Sequence, residues 1–92
     1  MEEEKDMAFV ETVIWIMEED FGNDPEKMRQ AKNGLTLTRL RQELEELGYV
    51  GIPSKIPALK RFIESFGFDV APGVNAKGKP AKTLCVTLRE ED

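Results

Sequence analysis

Between residues 54 and 66 the stretch "SKIPALKRFIESF" offers cations and small polar side chains at helical spacing. At ~100° per residue, Ile56, Leu59, Phe62, Ile63 and Phe66 form one apolar face. Ser54, Pro57, Ala58, Lys60, Arg61, Glu64 and Ser65 form the other. Arg61 lies in the middle of that arc, with Ser54, Ala58 and Ser65 around it. A guanidinium presents a fork of donors that matches the O6 and N7 acceptors of guanine, and small neighbours let a helix backbone approach closely. Lys55 and Lys60 flank the arc as compact charges suited to phosphate. Ser54, expected to cap the helix, can offer its hydroxyl and nearby N–H groups to an anion. Glu64 works against this use. It repels phosphate unless it accepts from a cytosine amine or pairs with Lys60 four residues earlier. Taken alone, a charged outer helix face is ordinary and simply solvated.

A second basic stretch follows. "APGVNAKGKPAK", residues 71–82, carries Lys77, Lys79 and Lys82 and no acid. Its two glycines and two prolines predict an exposed, flexible hairpin loop. Such lysines also serve to blunt an exposed strand edge, which is their plainer role.

The overall charge of −5 argues against a polyanionic partner, but its distribution does not. Residues 1–28 hold ten acids and two bases, whereas residues 29–89 hold eleven bases and five acids. Charges across a domain are screened beyond ~8 Å at physiological salt, so the local field decides what approaches each face.

The elements that must position these groups can be read from periodicity. Residues 1–6 form an acidic, flexible end, residues 7–89 one domain and residues 90–92 an acidic tail. From Met7 to Phe21 the pattern is helical, with Met7, Val10, Val13, Ile14, Met17 and Phe21 on one side and Phe9 and Ile16 widening the stripe. "DPEKMRQAKNG" reads either as a short second helix, with Asp24 as cap and Pro25 in its first turn, closed by Asn33-Gly34, or as an ordered loop, since its apolar residues are few. Leu35-Thr36 could be a brief strand. Thr36 or Thr38 then caps a helix whose Leu37, Leu40, Leu44 and Leu47 share a face, and Gly48 stops it. Gly67 stops the helix at 54–66. Phe68 and Val70, and later Leu84, Val86 and Leu88, alternate with polar or small residues, which predicts two strands around the basic loop.

This order of elements resembles the winged helix-turn-helix family over residues 7–88. The resemblance rests on the "LTLTRLRQELEELG" start, the helix after it, and a basic Gly-rich hairpin directly after the last helix. "FIESFGFDV" with the hairpin and "VTLRE" also resembles the winged-helix tail of phage and plasmid primase–helicases. The resemblance implies an α+β fold of three main helices plus a C-terminal β-hairpin wing. It implies double-stranded DNA as partner, for a transcriptional regulator or a replication accessory. Helix 54–66 would enter the major groove, and wing 71–82 would follow the backbone or enter the minor groove. Arg39 and Arg41 would meet the backbone where the preceding helix crosses it.

One residue of the first helix points elsewhere. Trp15 lies with Glu11 and Glu18, opposite the apolar stripe. Its ring either lies flat over a neighbouring segment or forms the centre of a contact with a second copy or a protein partner, because aromatics concentrate at interface centres. A protein-contact module using this helix is therefore the alternative reading. Enzymatic activity has little to stand on. The chain has no histidine, its one cysteine (Cys85) falls in an expected strand, and no GxxxxGK[ST] loop precedes a helix. No cofactor, metal or small-molecule substrate is expected. The longest apolar run, Val13 to Met17, is far short of the ~20 residues that span a bilayer. An acidic start and a lone cysteine predict a cytoplasmic protein.

Overall fold

The computed structural model describes the backbone of residues 2–88 and the side chains of residues 7–88. The acidic tail 90–92, Arg89 and the side chains of the acidic end 1–6 lie outside the described residues. The elements in chain order are α1 (Glu2–Phe21), α2 (Pro25–Met28), α3 (Leu37–Glu46), α4 (Ile56–Glu64), β1 (Phe68–Val74) and β2 (Pro80–Leu88). The architecture is α+β, four helices followed by an antiparallel hairpin.

Helix α1 starts at Glu2, so the charge run 2–6 continues the helix backbone that the apolar pattern starts at Met7. Its buried face is also turned from the expected one. Phe9, Val13, Ile16, Met17 and Phe21 are buried, Val10 and Ile14 half-buried, and Met7 is 64% exposed. The apolar stripe is too broad for periodicity to centre it. Phe9 centres it, because its ring stacks on Phe66 at 4.3 Å and meets Phe62 and Tyr49 edge-on at 5.4 and 5.5 Å. Such aromatic contacts add ~0.5–1.5 kcal/mol each beyond area burial.

Helix α2 has its expected cap, with the Glu26 N–H donating to Asp24 Oδ1 at 3.0 Å and Pro25 in the first turn. It stops after four residues instead of running to Asn33. The backbone beyond it is diverted to the hairpin: Val74 N–H donates to the Arg29 carbonyl at 2.7 Å, and Ala31 N–H to the Val74 carbonyl at 2.9 Å. The chain then turns at Gly34, where a Cβ would fall onto the carbonyl oxygens of Met28 and Gln30. The strand expected at Leu35-Thr36 is a single bridge. Thr36 faces Cys85 in antiparallel register, and Val86 N–H donates to the Leu35 carbonyl at 2.8 Å.

Thr36 caps α3 by accepting from Arg39 N–H at 3.1 Å. Leu37, Leu40 and Leu44 are buried, but Leu47 is 52% exposed because the helix ends at Glu46 and the chain turns away at Gly48. Ser54 does not cap α4. The capping position is Lys55, which makes no side-chain cap bond, and Pro57 occupies the first turn. Leu59 and Ile63 carry the burial on α4, while Ile56 is 43% exposed at its start.

The hairpin is longer and its loop shorter than expected. Residues 71–74 and 80–82 are strand, paired from Phe68↔Leu88 to Val74↔Pro80 with an irregularity between Pro72 and Val74. Gly73 lies where the strand crosses the α2–α3 connection. A Cβ there would meet Cys85 Sγ at 2.7 Å and Ala31 Cα at 2.9 Å. Because β2 runs between β1 and the Leu35-Thr36 bridge, Cys85, Val86 and Thr87 are all buried and the expected alternation is lost, with Leu88 exposed instead.

Candidate nucleic-acid interface

The outward arc of α4 and its approach is open. Ser54, Lys55, Pro57, Ala58, Arg61, Glu64 and Ser65 are exposed, and Lys60 is half-buried. Arg61 falls in the last turn of α4, where a cation is favoured by the carbonyl end of the helix dipole. The Ser65 hydroxyl donates to the Phe62 carbonyl at 2.6 Å, so its proton is held within the helix end. Among the described residues Lys60 and Glu64 form no ion pair.

The hairpin turn is built by one side chain. Asn75 Oδ1 accepts from the N–H groups of Lys77 at 2.9 Å and Lys79 at 3.0 Å. The Asn75 N–H donates to the Lys79 carbonyl at 2.8 Å, and Gly78, at φ 79°, donates to the Asn75 carbonyl at 2.9 Å. The expected twelve-residue loop is therefore a compact turn of residues 75–79 that presents Lys77 and Lys79 at its tip. Behind it lies a hollow of about 580 Å³ lined by Glu26, Arg29, Lys32 and the turn residues Asn75 and Gly78. Arg29 and Lys32 thus sit beside the turn. No local sequence signal places them there, since they belong to a segment that reads as helix and lie some forty residues from the turn. Lys82 is separate from the tip. It shares a groove of about 300 Å³ with Thr38 and Ile56, at the starts of α3 and α4.

Arg39 and Arg41, though partly exposed, are engaged by partners within the chain. Arg39 donates to Asp20 Oδ2 at 3.3 Å and to the Asn33 carbonyl at 3.4 Å, and lies over the Phe21 ring at 4.9 Å. Arg41 donates from Nε to the Pro53 carbonyl at 3.1 Å and meets Glu45 at 2.7 Å, tying the α3–α4 connection to α3. By contrast, among the described residues the side chains of Lys55, Lys60, Arg61, Lys77, Lys79 and Lys82 make neither an ion pair nor a hydrogen bond.

Beside Arg39, Glu43 is poorly satisfied. Its Oε2 is 3.7 Å from Arg39 Nε, too far for a hydrogen bond, and among the described residues that oxygen has no hydrogen-bond partner. Burial first, and the facing Asp20 second, push its carboxyl up to about 7, against the downward pull of Arg39. Burial likewise raises the Cys85 thiol, whose Sγ lies 3.5 Å from the Gln30 carbonyl.

On the other side of the molecule, Trp15 is 53% exposed, on the same outward face of α1 as the exposed Glu11 and Glu18. No described helix is long and apolar enough to cross a membrane. Comparisons with known protein families, with curated proteins and with solved structures returned no match.

Proposed function

We propose that the protein binds double-stranded DNA in the manner of a winged helix, as a regulator or replication accessory of the cytoplasm. Helix α4 lies in the major groove and the hairpin turn on the backbone or in the minor groove. The carrying observation is the set of cations on α4 and the hairpin that no carboxylate of the described fold neutralises. The element order supports the same reading, with a bridge before α3, two helices joined by a connector, and a hairpin whose second strand takes up the bridge. Arg61 is the base-reading residue, with Ala58 leaving room beside it, and Lys55, Lys60 and Ser54 meet phosphates. Lys77 and Lys79 at the turn, with Arg29 and Lys32 beside it, meet the backbone of the flanking duplex. Arg39 and Arg41 are left out of the contact set, since both already hold the fold together.

The test is a titration of the full chain against random and selected duplexes at several salt concentrations. The log–log slope of affinity against salt should be about −5, as for about six neutralised phosphates. Arg61→Ala should flatten the preference among sequences by ~1–3 kcal/mol. Absence of duplex binding at about 50 mM salt, with protein on the order of millimolar, would sink the proposal.

A further inference from the structure

The outward face of α1 carries a feature that DNA binding does not use. Ala8, Glu11, Thr12 and Trp15 face Leu47, Gly48 and Tyr49 across a shallow hollow of about 670 Å³. Its floor is held in place. The Tyr49 hydroxyl meets Thr12 Oγ1 at 2.9 Å, and the Tyr49 ring stands edge-on to Phe9 in the core. Its walls are apolar and open, with Trp15 53% and Leu47 52% exposed. Large apolar groups gathered at one exposed place mark a contact surface, and an exposed tryptophan is the strongest such marker.

Among the described side chains, the charges next to the hollow are of one sign. Glu11 lines the hollow, Glu18 and Glu19 follow Trp15 by three and four residues, and Glu46 precedes Leu47; all four are exposed. From Met7 to Phe21 the helix carries no lysine or arginine. Arg41, the base on the neighbouring stretch of α3, is already paired with Glu45. A second copy presenting the same face would set carboxylate against carboxylate, because a two-fold contact pairs a patch with itself. The complementary occupant is basic around an apolar anchor.

We propose that this hollow docks a basic amphipathic helix of a partner protein. An aliphatic or aromatic side chain of that helix seats between Trp15 and Leu47, and its lysines or arginines pair with Glu11 and Glu18. The site uses α1 and the end of α3, not α4 or the hairpin turn, so it stands whether or not the DNA reading does.

Trp15 is the one tryptophan of the chain, so its emission reports the hollow directly. The probe is an amphipathic leucine–lysine peptide of roughly five helical turns, and the control is its leucine–glutamate counterpart. The lysine peptide should shift the emission to the blue and saturate, and the glutamate peptide should not. With a labelled lysine peptide followed by anisotropy, Trp15→Ala should weaken binding roughly thirtyfold. Leu47→Gln on the facing wall and the double change Glu11→Lys, Glu18→Lys should each weaken it about tenfold, with circular dichroism unchanged. Three results would overturn the proposal. The first is no saturable shift up to about millimolar peptide. The second is equal affinity of Trp15→Ala or Leu47→Gln and the parent chain, which would reduce the attraction to net charge alone. The third is a dimer by sedimentation that Trp15→Ala abolishes, which would make a second copy the occupant.

Discussion

Two groups of cations in this molecule look alike in sequence and differ in use. Arg39 and Arg41 open α3 and find Asp20, Asn33, Pro53 and Glu45 within reach. The cations of α4 and the hairpin find no such partner among the described residues, although Glu64 and Asp69 are close in sequence. What separates the groups is the neighbouring segment. Asp20 at the end of α1, and the carbonyls of Asn33 and Pro53 in the connections before and after α3, bring oxygens within reach of the α3 arginines. The α4 arc and the hairpin turn face outward, and their charges stay available. An arginine's role is thus set by the acceptors that the fold brings to it.

The comparison can be broken most strongly at Gly73, which lets the hairpin dock against Ala31. Gly73→Ala should cost about 3 kcal/mol, because the new methyl meets backbone and a buried sulfur that cannot both retreat. Chemical denaturation would read the loss, and an unchanged midpoint would mean that the hairpin does not depend on this approach. Changing Lys77, Lys79 and Lys82 together to alanine removes the free cations alone. It should weaken duplex binding of all sequences on the order of a hundredfold at low salt and reduce the salt slope by about 2–3, without altering stability. A loss of folding instead would place these lysines with the structural group.

Arg39→Ala is the converse change. It should cost ~1–2 kcal/mol of stability, a value moderated by the partial exposure of the pair, and leave the salt slope of DNA binding where it was. A slope reduced by about one unit would instead mark Arg39 as a phosphate contact. The smallest effect is expected at Glu43. Its carboxyl titrates near 4.5 in the unfolded chain and about 7 in the fold. Between those values the folded state holds the extra proton, so this contribution to stability is full below 4.5 and is lost as pH rises through about 7. Glu43→Gln should remove that dependence and raise stability at pH 8 by about 1 kcal/mol, read as melting temperature against pH. Parallel curves for the two proteins would refute the assignment.

Much of this architecture was legible along the chain. Asp24 and Thr36 cap helices, Gly48 and Gly67 end them, and the two strands follow α4 in order, because caps, stops and alternation act over a few residues. Trp15 with Glu11 and Glu18 on an exposed face was legible for the same reason, since helical spacing alone sets them apart from the stripe. Ser54 misled because serine is a good cap in general, whereas Pro57 allows the helix to begin one residue later, with Lys55 at the capping position.

The remaining features needed the packed molecule. Which side of α1 is buried was decided by the rings of Phe62 and Phe66, more than fifty residues on. The early end of α2 and the length of the hairpin were decided together, by hydrogen bonds between Arg29, Ala31 and Val74. The same pairing brought Arg29 and Lys32 to the turn that carries Lys77 and Lys79, and the fold set Asp20 at the end of α1 within reach of Arg39. Local chemistry sets what each short segment prefers. Contacts between distant segments choose among those preferences, because they satisfy the backbone groups, rings and charges that no segment can satisfy alone.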